Sequence, residues 1–329
     1  MFARARAPQR ALAAIGVAAL IGSIAVAVLC SSAVAAGGRW VQAGSAREAS
    51  AFWTAARMRA AEPLETRAPH SRTPRVVRGQ RGRAETVRLP GGAEFGADFE
   101  EVVDPTTPEF RIHGGIFVSF GIFGYGRCSG TAVHSPNKSV VVTAAHCVNS
   151  GGRGGEWYDE RSVFVPAYRY GQRPFGVFPV RWIDATRQWR SGFTINTDVG
   201  AMVVGRNEAG ELLEDAVGGA EIAWNLKPNQ TFDVHGYPAE APFDGETQRI
   251  CHQTPFLGHD AGSFLFSGPL NLAVACGLTG GASGGGWTIR GDTLNGVTNY
   301  GYFDEGSPVY GSYFGKEVAR LYGRAAAVR

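Results

Sequence analysis

The amino-acid sequence predicts an all-β fold for most of the chain, followed by one short helix at the C-terminus. Three observations lead to this prediction: strand-length apolar runs recur from about residue 105, turn residues bound them, and no helical periodicity intervenes. The runs are GIFVSFGIFG, SVVVTAA, SVFVPAYRY, GVFPVRWID, GAMVV, TFDVHGYP, LNLAVAC and LNGVTNY. Many short strands of this kind favour a closed or sandwiched β architecture. At the end of the chain, GKEVARLYGRAAA has the apolar spacing of a helix that packs on the body.

Residues 1–36 have the pattern of a secretory signal peptide. MFARARAPQR is cationic, ALAAIGVAALIGSIAVAVL is apolar, and SSAVAAGG ends in small residues suited to cleavage after Ala35 or Ala36. The apolar run is also long enough for a retained membrane anchor, which is the alternative interpretation. The A-x-A pattern at 33–35 favours removal, so we expect a secreted protein without stable membrane association.

Residues 37–104 form an arginine-rich region of a different character. They contain RTPRVVRGQRGRAETVRLP and little periodic apolar pattern, which is typical of disordered or loosely folded chain. Residues 101–329 hold 18 basic and 22 acidic side chains, so the overall charge of +3 conceals an acidic C-terminal part. The region is interpreted as a propeptide that contacts this acidic part, as a nucleic-acid arm, or as a solvated tail. Export argues against a nucleic-acid partner.

Four cysteines follow the signal peptide: Cys128, Cys147, Cys251 and Cys276. An even number in an exported protein indicates two disulfides, for which three pairings exist. We favour the sequential pairs, Cys128 with Cys147 and Cys251 with Cys276. A zinc site is the alternative, but no C-x-x-C pair or neighbouring histidine has ligand spacing, so we expect no metal.

The stretch TGGASGGGW, residues 279–287, places a single serine, Ser283, among glycines. Such tracts are often flexible spacers, but this one follows LNLAVAC and precedes WTIRGDTLNGVTNY, which is typical of a strand. The second interpretation is a backbone that approaches a substrate closely around a nucleophilic serine. A serine hydroxyl needs a base to take its proton and a third group to orient that base.

The candidate base is His146 and the candidate orienting carboxylate is Asp198. SVVVTAAHCV ends a β-branched strand just before His146, and NTDVGAMVV places Asp198 at the mouth of another strand. Asp184 and Asp260 are weaker candidates for the carboxylate. Structural roles are expected for the other histidines, which are His70, His113, His134, His235, His252 and His259.

These segments resemble a known family. VVVTAAHCV, TDVGAMVV and TGGASGGGW are similar to the catalytic segments of chymotrypsin-like serine endopeptidases, especially the secreted bacterial branch that includes glutamyl-endopeptidase-like enzymes. HGYPAEAPFDGETQ is similar to another stretch of that branch. The resemblance spans roughly residues 110–325. It implies a double six-stranded β-barrel with the active site between the barrels, in a domain that we place at 105–329.

The resemblance also implies a role for each matching residue. His146 would be the general base, Asp198 its orienting carboxylate and Ser283 the nucleophile. The oxyanion hole would be formed by the backbone N–H groups of Gly281 and Ser283. Substrate backbone would pair with an edge formed by three consecutive residues, Asn299, Tyr300 and Gly301.

The order of the candidate residues distinguishes two folds. GASGG also matches the G-x-S-x-G nucleophile elbow of α/β-hydrolases, in which the serine comes first and the histidine last. Here His146 and Asp198 both precede Ser283, an order that fits only the chymotrypsin class. The specificity residues of the family are absent: ACGLTGGAS holds no acid and GVTNYGY no histidine, so no residue preference is predicted.

We therefore expect a secreted, monomeric serine endopeptidase that acts on polypeptides and needs no cofactor. An esterase with the same triad and a non-catalytic binding protein on the same fold are the alternatives. In animal digestive relatives an aspartate before the nucleophile pairs with a newly cut amino terminus, but here the residue is Ala282. Residues 37 to about 105 are expected to act as a removable cover or folding aid rather than through that ion pair.

Overall fold

The structure, a computed structural model, describes residues 37–42, 44–65, 76–80, 83–86, 99–302 and 308–329. The predicted signal peptide, the alternative membrane anchor and His70 lie outside these residues. Among the described helices, none combines the length and the apolar character needed to cross a membrane.

Residues 38–42 and 44–65, here called the N-terminal arm, are folded. Their elements are β1 (Arg39–Trp40), α1 (Ala46–Phe52), α2 (Ala55–Arg59) and β2 (Glu62–Pro63). Ser45 begins α1 through a capping box with Glu48. Trp53 and Met58 are fully buried, which supplies the apolar contact that arginine-rich composition did not indicate. The arm therefore differs from the loosely folded chain that we expected from composition.

Three further strands precede the barrels. β3 (Val76–Gln80) and β4 (Arg83–Thr86) form an antiparallel hairpin, and β5 (Glu100–Glu101) follows. Both β3 and β5 pair with a long strand of the second barrel, β14, described below. Part of the arginine-rich region thus extends a sheet of that barrel.

Between residues 113 and 311, the described strands form two barrels of six antiparallel strands each. The first consists of β6 (His113–Ser119), β7 (Tyr125–Val133), β8 (Val140–Thr143), β9 (Val163–Pro166), β10 (Phe178–Ala185) and β11 (Gly200–Val204). Its strand order is β6-β7-β8-β11-β10-β9, and pairing of β9 with β6 closes it. Closure leaves no unpaired edge within the ring.

The second barrel repeats this topology. After the two-residue strand β12 (Glu221–Ile222), it consists of β13 (Thr231–Gly236), β14 (Arg249–Asp260), β15 (Leu272–Val274), β16 (Gly286–Ile289), β17 (Thr293–Tyr300) and β18 (Val309–Gly311). Its order is β13-β14-β15-β18-β17-β16, and β16 pairs with β13 to close it. The all-β double barrel predicted from the sequence is therefore confirmed.

The helices lie outside the barrels. Two are short: α3 (Arg187–Gly192) lies between β10 and β11, and α4 (Leu213–Val217) lies in the segment that connects the two barrels. The predicted C-terminal helix is α5 (Lys316–Ala326), which buries Val318, Leu321 and Ala325 against the body. Each barrel core is rich in β-branched and aromatic side chains, as the strand runs indicated.

Candidate active site

The candidate base and carboxylate lie at one end of the β8–β11 ladder. In that antiparallel pair Thr143 lies opposite Gly200. His146 follows shortly after Thr143 in a 3-10 turn at 145–147, and Asp198 shortly precedes Gly200. The end of one antiparallel strand meets the beginning of its partner, so the pairing register brings the two side chains together.

Asp198 holds the His146 ring through two hydrogen bonds. One carboxylate oxygen accepts from the backbone N–H of His146 at 2.9 Å, and the other lies 2.7 Å from Nδ1. Both side chains are buried, with 6% and 0% of their surface exposed. This contact favours the tautomer with the proton on Nδ1, which leaves Nε2 as the basic atom. Nε2 makes no hydrogen bond to a described residue, so the structure does not join it to Ser283.

Opposing effects set the pKa of His146. Burial disfavours the imidazolium and lowers the pKa, whereas the charge and hydrogen bond of Asp198 and the charge of Glu65 raise it. The net effect is a pKa above the ordinary value of 6.5. An imidazole whose charged form is stabilised in this way is suited to accept a proton during a reaction.

Ser283 lies in the glycine-rich turn before β16, and Ser129 of β7 holds that turn. The N–H of Ser129 donates to the Ser283 carbonyl at 2.8 Å, and the Ser129 hydroxyl donates to the Gly281 carbonyl at 2.9 Å. The N–H of Tyr237 donates to the same hydroxyl at 2.9 Å. Ser129 belongs to the first barrel and Ser283 to the second, so the contact crosses the barrel boundary. Sequence reasoning missed Ser129, whose only signal is its place beside a predicted disulfide.

Both cysteine pairs lie as the sequence analysis favoured. The S–S distances are 2.00 Å for Cys128–Cys147 and 2.17 Å for Cys251–Cys276. The first pair joins β7 to the turn that carries His146, and the second joins β14 to the segment before the glycine-rich turn of Ser283. Cys128, Cys147 and His146 lie within 4.8 Å of one another, but disulfide sulfurs are not the thiolates that bind metals.

Gly281, the predicted oxyanion donor before Ser283, makes an unexpected contact with the arm. Its φ of +93° suits glycine, and a Cβ there would lie 2.7 Å from the carbonyl of Tyr237. The Gly281 N–H donates to Oε1 of Glu65 at 2.9 Å. Burial raises the pKa of Glu65 to about 7, against the charge of His146 and the Gly281 hydrogen bond, which lower it. No pattern in the sequence pointed to Glu65.

The predicted substrate edge lies beside the carboxylate. Nδ2 of Asn299 donates to the backbone carbonyl of Asp198, and both residues are buried. The Tyr300 hydroxyl donates to Asp260 at 2.6 Å. Gly301 follows the end of β17 and is partly exposed. The two side chains therefore support the fold, and pairing of this backbone with a substrate stays a prediction.

The weaker carboxylate candidates bind other groups. Asp184 forms ion pairs with Arg190 and Arg324, and Asp260 accepts from two tyrosine hydroxyls. The described histidines other than His146 also have other neighbours: His113 stacks on His235, His134 pairs with Glu214, His252 lies near Asp233, and His259 contacts Phe256.

Together, the double barrel and the buried histidine–carboxylate pair beside a serine turn define a protein of the chymotrypsin-like serine protease class. Known structures agree. Protease Anisep from Arthrobacter nicotinovorans is 32% identical with a TM-score of 0.58, and the match covers 66% of this chain and 96% of that one. The thermostable serine protease AL20 from an extremophilic microorganism is 30% identical with a TM-score of 0.61, covering 68% of this chain and 100% of that one.

The chain therefore belongs to the chymotrypsin-like serine proteases, as its motifs predicted. A Glu endopeptidase structure shares the fold at 16% identity, with a TM-score of 0.54 and coverage of 72% of this chain and 100% of that one. No protein-family model matches the sequence, and a search of curated proteins gives no match.

Proposed function

We propose that the protein is a secreted serine endopeptidase whose catalytic triad is His146, Asp198 and Ser283. The observation that carries this proposal is the pair of hydrogen bonds that the backbone N–H and Nδ1 of His146 donate to Asp198, at 2.9 and 2.7 Å. A serine turn held by Ser129 lies across the barrel boundary from this pair. The signal-peptide pattern and the two disulfides support secretion.

The proposed reaction begins with attack of Ser283 Oγ on the substrate carbonyl carbon while Nε2 of His146 accepts the hydroxyl proton. Asp198 stabilises the resulting imidazolium through the Nδ1–H hydrogen bond. The N–H groups of Gly281 and Ser283 stabilise the negative charge on the substrate oxygen. His146 then gives the proton to the leaving amine, and water releases the acyl group by the same steps in reverse.

A fluorophosphonate probe and a peptide library test the proposal. The probe should label Ser283 once the arm has been removed by proteolysis, and mass spectrometry of the digested library should show cleaved peptide bonds. Ser283→Ala or His146→Ala should lower kcat on the order of a million-fold, because members of a triad act as a unit. Ser267→Ala is the matched control, since Ser267 is exposed, and it should leave the activity unchanged.

Two results would overturn the assignment. One is probe attachment to a serine other than Ser283. The other is retention of peptide cleavage by Ser283→Ala in a folded protein. Hydrolysis of small esters without cleavage of any library peptide would instead favour an esterase.

A further inference from the structure

The N-terminal arm is firmly attached to the first barrel. Trp53 is buried among barrel side chains, and its indole N–H donates to the carbonyl of Arg161 at 2.7 Å. The guanidinium of Arg173 donates to the carbonyl of Trp53 and to Ser50, each at 3.1 Å. Met58 is fully buried in the same cluster. Burying a tryptophan and a methionine typically stabilises a contact by several kcal/mol, so the arm binds the first barrel in one defined position.

Beyond α2 the arm leads into the candidate active site. Its strand β2 adds to β7 in parallel, with Pro63 opposite Arg127. The N–H of Leu64 then donates to the carbonyl of Arg127 at 3.0 Å. The next residue, Glu65, reaches Gly281. The strand pairing thus delivers one carboxylate to the site.

Glu65 accepts the hydrogen bond from the Gly281 N–H group, which the proposed mechanism assigns to the substrate oxygen. The carboxylate at Gly281 belongs to a side chain, so no peptide bond is present at that point for a serine to attack. A substrate carbonyl cannot accept the same hydrogen bond while Glu65 holds it. The arm therefore binds as a blocking group rather than as a substrate.

We propose that the N-terminal arm is an intramolecular inhibitor, in which the Glu65 carboxyl group blocks the oxyanion hole until the arm leaves. This inference rests on the proposed function, because it concerns regulation of the same site. Helices α1 and α2 supply the binding contacts and Glu65 supplies the block. Release of the arm exposes the Gly281 N–H to substrate.

Four groups face Glu65 and give the block a dependence on pH. The charge of His146 and the N–H of Gly281 favour the ionised carboxylate, whereas burial and the charges of Glu240 and Asp198 disfavour it. Burial dominates and raises the pKa of Glu65 to about 7. A group whose pKa is raised on docking contributes binding that is fully present below its ordinary pKa of 4.5 and is lost as the pH rises to about 7. The block should therefore weaken between about pH 4.5 and pH 7.

The test compares fluorophosphonate labelling of Ser283 in the full secreted chain and in three variants. Glu65→Ala removes the block and should raise the labelling rate at least about tenfold, the loss expected for one hydrogen bond to a charged group. Glu62→Ala is the matched control, because Glu62 lies three residues before Glu65 in the same arm but is exposed, and its rate should equal that of the wild type. Glu65→Gln keeps an oxygen acceptor without a charge, so it should stay blocked.

The pH dependence separates a block from a merely structural role. The ratio of wild-type to Glu65→Gln labelling should rise between about pH 4.5 and pH 7 and stay level above that, since only the wild type carries a carboxyl group that ionises on release of the arm. Once the arm is released, His146 titrates alike in both proteins, so the ratio isolates the effect of the Glu65 carboxyl group on the blocked state. A flat ratio, or equal labelling rates for Glu65→Ala and the wild type, would overturn the inference about the arm. The proposed function would still stand in that case, provided that the probe labels Ser283. Absence of labelling even after removal of the arm would overturn both.

Discussion

Replacement of Gly284 by alanine tests why the turn around the proposed nucleophile, Ser283, is rich in glycine. The residue has a φ of +80°, and an added Cβ would lie 2.0 Å from Oγ1 of Thr143 and 2.5 Å from the carbonyl of Ser129. Gly291 has a φ of +84° but no atom within 4 Å of an added Cβ, so it is a matched control. A left-handed conformation costs a non-glycine residue about 1–2 kcal/mol, and overpacking adds about 1–3 kcal/mol.

The two variants should therefore separate the two costs. A loss of about 3 °C in Tm per kcal/mol predicts a fall of about 3–6 °C for Gly291→Ala and about 6–15 °C for Gly284→Ala. The activities of the two variants should differ more than their Tm values, because in Gly284→Ala a displacement of about 1 Å at Ser283 would cost on the order of a hundredfold in kcat/KM. Thermal unfolding and peptide hydrolysis measure both quantities. Equal losses of Tm, or full activity in Gly284→Ala, would refute the reasoning.

Three further predictions concern pH and the amino terminus. After removal of the arm, kcat/KM should rise with pH as His146 loses its proton; a flat profile would contradict this. Burial lowers the pKa of both His113 and His235, the former to about 3, so only the unfolded chain binds their protons below pH 6.5. As the pH is lowered from about 6.5, the free energy of unfolding measured in urea should fall by on the order of 1 kcal/mol per pH unit for each histidine. An unchanged dependence of this free energy on pH in His113→Asn would refute this origin. Mature chains that begin at different positions in 94–99 should have equal turnover per titrated site, because Ala282 cannot pair with an amino terminus; a sharp optimum would contradict this.

Local sequence signals predicted much of the fold and of the candidate site. Apolar runs of strand length predict the strands, and the apolar spacing of the C-terminal segment predicts α5. Both can be found in the sequence because side-chain direction follows from the local backbone geometry of each element. His146 and Asp198 could be found because each lies beside a β-branched run that forms a neighbouring strand. The strand order could not be obtained this way: the two barrels share one topology, yet the sequence shows no repeat, since closure depends on pairing between distant segments.

The arm was the main feature that the sequence analysis did not predict as folded. It is rich in alanine, it precedes the arginine-rich stretch RTPRVVRGQRGRAETVRLP, and its few large apolar residues show no extended period, so the composition of the whole region indicated loose chain. Trp53 and Met58 gain their stability from barrel side chains rather than from neighbours in sequence. The capping box of Ser45 and Glu48 was the available local signal of a helix. Glu65 carries no signal, because its role depends on where β2 docks.

Ser129 links the two halves of the proposed active site, since His146 and Asp198 belong to the first barrel and Ser283 to the second. Ser129→Ala would keep its N–H bond to Ser283 but lose the hydroxyl bonds to Gly281 and Tyr237. Ser162→Ala is the matched control, because it also removes a buried serine hydroxyl bond of the first barrel, to Tyr158.

Both variants should lose about 1–3 kcal/mol of stability in urea unfolding, the cost of leaving buried polar groups unpaired. Only Ser129→Ala should also lose catalysis, because the Gly281 backbone carries the proposed oxyanion donor. Its kcat should fall on the order of ten- to a hundredfold with little change in KM, since the interaction lost is one made in the transition state. Equal kcat values for the two variants would mean that the nucleophile turn keeps its geometry without Ser129, and that the glycine contacts within the second barrel suffice to hold it.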